Sequence, residues 1–366
     1  MNATTPSLDL IGDTAVAGSR YIALDGLRGV AALVIVIHHL TSVIGTREYF
    51  ASASIAVDFF FCLSGFVIAL AYHHRLAKGM GLRAFVRRRF VRLYPMYLCG
   101  TAIGIVATAI YIACGLTDMT FANLATATAL NMFYLPYLND RTVTIFTEQL
   151  TGVLFPMNNP AWSLLFGILA NLTFATVLPW SRRLPLVMLG VSALLLVAST
   201  LALGEAPGWG YANMLGGFPR VMFSFFTGVV IFQYRDRMVL PRIRAVVVFL
   251  AILLLVGVPR FQGHRFYWLG MALVVMPVLV AVGSYCVLDR ATPLGRMAVY
   301  FGKISYTVFC VHYPLLMLFF LYPVDHALVP VVAMLFLATT VLVAHFLTFR
   351  VEAPMRDWLA RRIGTQ

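Results

Sequence analysis

The sequence predicts an all-α integral membrane protein with about ten transmembrane helices and with both termini in the cytoplasm. Of its 366 residues, 61% are hydrophobic and only 11% are charged, whereas about one quarter of the residues in soluble domains are charged. Successive apolar runs of about 20 residues, the length that crosses a bilayer, fill most of the chain. The loops between them alternate between basic and nearly neutral, which is the pattern that sets membrane topology.

The apolar runs define ten predicted spans, which are 27–45, 54–72, 93–114, 161–180, 185–203, 218–234, 245–259, 266–288, 304–322 and 328–349. Residues 1–19 lack the basic and apolar regions of a signal peptide, so they are predicted to form a flexible tail. No internal repeat is apparent. Residues 20–355 are therefore predicted to form one membrane domain, and residues 356–366 a cytoplasmic tail.

The formal net charge of +13 does not indicate a nucleic-acid partner, because the basic residues lie in short loops on one side of the predicted bilayer. The opposite side has Arg47, Arg141, Arg260 and Arg265 and few other cations. With an even number of spans, this asymmetry places both termini in the cytoplasm. The lipid bilayer is the first predicted partner.

The longest connection, residues 115–160, is predicted to lie outside. Its segment 121–138 is apolar enough to enter the bilayer. If this segment crossed the bilayer, the charge alternation of all later loops would invert. It is therefore predicted to be a partly buried or re-entrant helix.

The first span has a cation at its start and a titratable base deep inside. Arg28 and His39 are eleven residues apart, so they share one helix face and are separated by about 16 Å along the axis. His38 points about 80° away from Arg28. Ionisable groups inside a membrane span are costly and usually functional. Arg28 and His39 are therefore the first candidate site residues.

The second span runs in the opposite direction and places Asp58 at a depth similar to that of His39. A carboxylate on one imidazole nitrogen would fix the tautomer and leave the other nitrogen as a base. Asp58 is therefore predicted to act with His39, with a helix cap as the alternative. Ser64 and Gly65 follow, and their small size also suits close helix packing.

A basic segment introduces the third span. Arg89 and Arg92 are three residues apart and share a helix face, and guanidinium groups suit bidentate phosphate binding. With Arg28 on the same side of the membrane, they form a predicted phosphate cradle. The alternative is a positive-inside topology signal.

Other candidate residues lie on the fourth and ninth spans. Trp162 and Ser163 open the fourth span from outside, where an interfacial tryptophan is also an ordinary feature of membrane proteins. His312 lies near mid-depth in the ninth span, after Tyr306. The five cysteines have no CxxC spacing and predict no disulfide framework. No His/Glu pattern has metal-ligand spacing, so no metal or prosthetic group is expected.

Taken together, an intramembrane base, a carboxylate and a phosphate-binding side fit two functions. One is acyl transfer from a cytoplasmic phosphorylated thioester carrier to a hydroxyl, with a histidine as general base. The other is a proton-coupled transporter or flippase, in which the same histidines relay protons. Transporters often show paired repeats or helices broken in corresponding halves, and none is evident here.

Six motifs of the chain lie in order on the predicted spans and at its end, namely LDGLRGVAALVIVIHH (24–39), VDFFFCLSGFVI (57–68), RRFVRLYP (88–95), NPAWSL (159–164), GKISYTVFCVHYP (302–314) and FRVEAPMRDWLARR (349–362). Together they resemble the membrane-bound acyltransferase-3 family, over residues 21–362. The resemblance implies ten core spans, an acyl-CoA donor that enters from the cytoplasm, and a hydroxyl-bearing acceptor such as a sugar or glycan. It also implies a multi-pass protein of the cytoplasmic (inner) membrane that transfers a short acyl group such as acetyl.

The resemblance assigns roles to the candidate residues. His39 corresponds to the essential histidine and is expected to act as general base, with Asp58 orienting it. Arg28, Arg89 and Arg92 correspond to the motif arginines and are expected to bind the phosphates of acyl-CoA. The expected substrate-binding residues are Ser64, Trp162, Ser163, Tyr306 and His312.

The chain departs from the family pattern after the NPAWSL motif. Family members commonly have a glutamate three residues beyond the leucine, where this chain has Gly167. The departure predicts weakened activity, an altered acceptor or an inactive homologue. Glu148 and Asp140 in the outer connection are candidates to replace the missing carboxylate.

Overall fold

The structure is a computed structural model that describes residues 21–178, 181, 183–204, 206–241 and 243–364. Most of this part of the chain is helical, as the composition predicts. The eleven helices are α1 (Ile22–Val43), α2 (Ile55–Ala77), α3 (Leu82–Ala113), α4 (Phe121–Asn131), α5 (Trp162–Val177), α6 (Leu184–Leu203), α7 (Gly217–Tyr234), α8 (Ala245–Val256), α9 (His264–Gly283), α10 (Pro293–Phe319) and α11 (Val329–Ile363). One antiparallel hairpin, β1 (Thr142–Ile145) and β2 (Glu148–Thr151), follows α4. The predicted tail 1–19 lies outside the described residues.

Each of the ten predicted spans overlaps one of these helices. Among the described residues, eight helices are long and apolar enough to cross a membrane, which confirms an all-α integral membrane protein. The other two predicted spans fall on α8 and α10. Helix α8 has 12 residues, about 18 Å of helix, which is shorter than the hydrocarbon core. Helix α10 has 27 residues and includes polar groups such as Lys303 and His312.

Three helices extend furthest beyond the predicted spans, because their added ends are basic or polar. Helix α3 begins at Leu82, so the arginine-rich segment before the third span is helical and Pro95 lies inside the helix. Helix α10 begins at Pro293, with the Thr292 hydroxyl accepting from the Gly295 backbone N–H. Helix α11 continues through a π-helical turn to Ile363. Most of the predicted C-terminal tail is therefore helix, since arginine and leucine favour helices.

The outer connection contains a re-entrant segment. Helix α4 ends at Asn131, whose carbonyl accepts a hydrogen bond from the Tyr97 hydroxyl, about 24 Å along α3 from its C-terminal end. The chain then returns to the C-terminal end of α3. There the Asp118 carboxylate accepts a hydrogen bond from the Thr142 backbone N–H at 2.8 Å. The segment therefore begins and ends at the same end of α3, as the charge alternation predicts.

Helices α1 and α10 run parallel and pack closely along their length. Glycines make this approach possible. A Cβ on Gly29 would lie 2.6 Å from the Phe301 Cβ, and one on Gly302 would lie 2.7 Å from the Asp25 Cβ. The parallel packing brings residues at equal intervals along both helices to the same depth.

Helices α2 and α7 also approach to backbone contact. A Cβ on Gly65 would lie 1.9 Å from the Phe225 carbonyl oxygen, and one on Gly228 would lie 1.8 Å from the Cys62 carbonyl oxygen. Small residues at such contacts are typical of membrane helix pairs. This supports the packing alternative for the segment around Ser64.

A buried ion pair joins α2 to α7. The Arg220 Nε donates to Asp58 Oδ1 at 2.9 Å and its Nη2 donates to Oδ2 at 2.7 Å, and the two side chains are 1% and 0% exposed. Trp162 and Trp268 flank the guanidinium with ring centres at 5.3 and 5.1 Å. The Pro207 carbonyl accepts a further bond. The pair thus connects α2, α5, α7 and α9.

We expect Asp58→Asn to lower the free energy of unfolding by about 3–5 kcal/mol, because it leaves the buried Arg220 charge without its counter-charge. Denaturant unfolding of the purified protein in detergent measures the effect. Asp236→Asn is the matched control, since Asp236 pairs with Arg235 but is 79% exposed and such pairs contribute little. Equal stability of the two variants would contradict a structural role for the buried pair.

Candidate functional site

The parallel packing of α1 and α10 places three aromatic groups around His39. The His39 ring centre lies 5.4 Å from that of His312 and 5.1 Å from that of Tyr313. His38 lies next to it at 5.2 Å. The structure therefore brings together two histidines that the sequence predicts on separate spans, and it adds Tyr313, which the sequence does not single out.

His312 is fully buried, and its surroundings fix its protonation pattern. Its Nδ1 lies 3.1 Å from the Val308 carbonyl oxygen and 2.9 Å from that of Phe309. Carbonyl oxygens only accept hydrogen bonds, so Nδ1 is assigned the proton and Nε2 is left as an acceptor. Within the described residues, this buried Nε2 has no hydrogen-bond partner.

Arg28 is held against the middle of α10. Its Nη2 donates to the Gly302 carbonyl at 2.6 Å, and its Nε donates to the Ser305 hydroxyl at 3.0 Å. Its guanidinium also pairs with Asp25 at 3.0 Å. Arg28 is thus fixed in position, and it stays 28% exposed.

All three predicted phosphate-binding arginines lie together, in what we call the arginine end of the bundle. Arg92 is within electrostatic range of both Arg28 and Arg89, and its Nη1 binds the Glu352 carboxylate at 2.9 Å. Lys303 is close to Asp25 as well. Cations outnumber carboxylates here, so the arginine end favours an anionic ligand. The sequence does not single out Glu352, although it is an acidic residue in a basic segment.

Tyr306 lies between the arginine end and the histidines on α10. Its hydroxyl donates to the Leu93 carbonyl at 2.7 Å, and it is within electrostatic range of Arg89. From Ser305 to His312 the rise along α10 is about 10 Å. Tyr306 therefore lies on α10, the helix that carries both Ser305 at the arginine end and His312 in the histidine cluster.

The predicted contact between Asp58 and His39 is wrong. Both carboxylate oxygens of Asp58 instead accept hydrogen bonds from Arg220, in the ion pair described above. Helix counting predicts the depth of Asp58, but the direction of its side chain depends on how α2 is turned. Arg220 is a charged residue inside an apolar span, and that signal alone could have identified it as the partner.

Two other predicted site residues contact groups other than the histidines. Trp162 packs against the Arg220 guanidinium. The Ser163 hydroxyl donates to the Pro160 carbonyl at 2.9 Å, which stabilises the first turn of α5. Ser64 lies on α2 one helical turn after Phe60, whose ring packs on Phe309 of α10 at 6.2 Å. The substrate-binding roles of Ser64, Trp162 and Ser163 stay predictions.

The β-hairpin covers the end of α1 that lies beyond His39. The Thr147 hydroxyl donates to the Val43 carbonyl at 2.5 Å, and the Phe146 ring packs on Phe320 at 6.0 Å. Glu148 follows directly and is within electrostatic range of Tyr313. Of the two carboxylates that the sequence offers for the outer side, Glu148 is therefore near the histidines.

Asp140 is exposed in the loop before the hairpin. Gly167 lies on α5, where the nearest group to an added Cβ would be the Phe61 ring at 3.7 Å. A Cβ at position 167 therefore makes only an ordinary van der Waals contact. Among the described residues, no group of three or more His, Cys, Asp and Glu side chains is arranged to hold a metal ion.

Comparisons with known proteins identify the family of the chain. A family model for an acyltransferase domain, that of acyltransferase family 3, matches residues 21–349. Protein 2 in the picA locus of Rhizobium radiobacter is 36% identical over 197 residues, which cover 49% of this chain and 94% of that protein. No solved structure matches the chain. Because the family match covers nearly the whole described chain, from the arginine end to α11, this protein belongs to the acyltransferase-3 family and is a multi-pass membrane acyltransferase.

Proposed function

We propose that the protein is an O-acyltransferase of the cytoplasmic (inner) membrane. It transfers a short acyl group, such as acetyl, from cytoplasmic acyl-CoA to a hydroxyl of a sugar, glycan or other small acceptor. The main support is that the closely packed helices α1 and α10 carry both parts of the proposed site. These two helices place cations at one end and a histidine pair about 16 Å further along α1.

The arginine end is the proposed binding site for the CoA phosphates. Guanidinium groups bind phosphate oxygens through charge-assisted, often bidentate hydrogen bonds. Arg28, Arg89 and Arg92 supply them from two helices, and Arg28 is already held in place by Gly302 and Ser305. The extended pantetheine arm would then direct the thioester along α10 toward His39.

The proposed chemistry is general-base catalysis by His39. Its imidazole takes the proton of the acceptor hydroxyl as the oxygen attacks the thioester carbonyl. A carbon–oxygen bond forms, the carbon–sulfur bond breaks, and the CoA thiolate leaves. The proton on His39 then passes to the thiolate, so the products are the O-acyl acceptor and free CoA.

We expect His39→Ala to reduce acetyl transfer from acetyl-CoA by at least about 100-fold, since a general base contributes 10²–10⁴-fold. Release of the CoA thiol by purified protein in nanodiscs measures the rate. His345→Ala is the control, because His345 lies on α11 and its Nδ1 is 3.0 Å from the Tyr300 hydroxyl, away from His39. An unchanged rate in His39→Ala would contradict the proposed mechanism.

We expect Arg89→Ala to raise the KM for acetyl-CoA roughly 10- to 100-fold, because a hydrogen bond to a charged group contributes about 1.5–3 kcal/mol. The Arg89 Nε is buried and has no hydrogen-bond partner within the described residues, so it has a donor to offer. Arg83→Ala on the exposed face of α3 is the matched control.

The donor analogue S-acetylpantetheine separates phosphate binding from other effects of Arg89→Ala. This analogue lacks the nucleotide phosphates, so wild type and variant should have similar KM values for it. An equal loss with both donors would show that Arg89 does not act on the phosphates.

We further propose that Glu148 supplies the outer carboxylate that position 167 lacks. Glu148→Gln should lower acetyl transfer to a panel of monosaccharides about tenfold or more, because a charged hydrogen bond to a hydroxyl is lost. Acetyl-CoA hydrolysis without acceptor should be unchanged. Asp140→Asn is the control and should transfer acetyl as wild type does. The double variant Glu148→Gln with Gly167→Glu should recover part of the lost transfer. Equal transfer by Glu148→Gln and wild type would exclude this role.

A further inference from the structure

His312 has a fixed tautomer and an acceptor nitrogen with no assigned function. Its Nδ1–H is shared between the Val308 and Phe309 carbonyls. Its Nε2 is buried and has no hydrogen-bond partner within the described residues. A buried acceptor without a partner lowers stability, so its retention inside the helix bundle indicates a ligand or a partner that arrives during function.

The groups that face His312 narrow the choice of partner. His39 lies at 5.4 Å between ring centres, Phe309 at 5.9 Å and Tyr313 at 6.5 Å. Phe309 has no polar group, and the Tyr313 hydroxyl makes no hydrogen bond to His312 Nε2 in the described structure, although it interacts with Asn159. His39 is the neighbouring ring with an N–H to donate.

The distance between the histidines suits such a bond. Two imidazoles joined by one N–H···N hydrogen bond of about 3 Å have ring centres about 5–6 Å apart. The rings are tilted by 36°, and His39 is only partly buried, so it has more freedom to turn than His312. The remaining titratable groups near the pair are His38 on α1, Tyr313 on α10 and Glu148 on the hairpin.

We propose that His312 is a positioning residue for the His39 base, an inference that rests on the proposed function. Its Nε2 accepts a hydrogen bond from one ring N–H of His39, which fixes the tautomer of His39. The other nitrogen of His39 is then unprotonated and faces the acceptor hydroxyl. This assigns to a neutral imidazole the role that the sequence predicts for Asp58.

The proton balance is simple. When His39 takes the hydroxyl proton it becomes an imidazolium, and its second N–H stays directed at His312 Nε2. The thiolate of CoA then removes the newly acquired proton, and His312 remains neutral throughout. A neutral partner also suits an apolar interior, where a second carboxylate would require a counter-charge of the kind that Arg220 provides for Asp58.

Kinetics of two variants test the proposal. His312→Phe removes the acceptor, whereas His312→Gln keeps an amide oxygen near the position of Nε2. We expect kcat for acetyl transfer to fall roughly 10- to 100-fold in His312→Phe, with an unchanged KM for acetyl-CoA, and to stay within a few-fold of wild type in His312→Gln.

The pH dependence of kcat separates positioning from a packing role. The hydrogen bond to Nε2 favours the protonated form of His39. Its loss in His312→Phe should therefore move the acid limb of the kcat–pH profile to lower pH. His312→Gln should keep the wild-type limb. An unshifted limb in His312→Phe, or an equal loss of kcat in both variants, would overturn the proposal.

Nitrogen-15 NMR of histidine-labelled wild-type protein gives a test that does not depend on the folding of a variant. The His39 signals, assigned by their absence in His39→Ala, should report one tautomer at neutral pH. A mixture of tautomers would overturn the proposal. If His39→Ala turned over acetyl-CoA as fast as wild type, the proposed function would fail. If His39→Ala were inactive, but the acid limb did not move in His312→Phe and His39 showed a mixture of tautomers, only the role of His312 would fail.

Discussion

Helices α1 and α10 pack closely because glycines occupy their contact positions. With no side chain at Gly29 or Gly302, the two backbones approach closely enough for the Arg28 guanidinium to reach the Gly302 carbonyl. The same register, continued along both helices, places His39 beside His312. A larger residue at either glycine would separate the helices at the arginine end and would change the relation between the two halves of the site. The packing of α1 against α10 therefore sets the distance between the arginine end and the histidines.

The second constraint is the cost of charge in an apolar interior. Asp58 and Arg220 satisfy each other through two hydrogen bonds, and two tryptophans cover the guanidinium. Such a pair is strongly destabilising when one partner is lost, which commits Asp58 to structure. The groups around His39 are different, since they are imidazole and phenol side chains on α1 and α10. The Asp58–Arg220 pair and the histidine cluster are therefore separate groups of side chains, and the carboxylate that approaches the histidines is Glu148 of the hairpin.

The two ends of the helix bundle differ in charge. At one end the arginines outnumber the carboxylates and suit a phosphorylated donor. At the other end the re-entrant segment and the hairpin return the chain over the end of α1, which brings Glu148 near Tyr313. Position 167 on α5 carries a glycine, and a Cβ added there would meet only the Phe61 ring, at 3.7 Å.

The sequence by itself determines the membrane class, the approximate position of all ten apolar helices, the re-entrant segment and the shared face of Arg28 and His39. These follow from hydropathy, from charge alternation and from the fixed pitch of a helix, all of which are local. It also predicts that Arg28, Arg89 and Arg92 meet, because topology places them on one side. Only the tertiary structure decides that Asp58 binds Arg220, that His312 lies against His39 and that Trp162 covers a guanidinium. Those contacts depend on how each helix is rotated and which helices are neighbours, and glycine contacts and buried charge pairs far apart in the chain determine both.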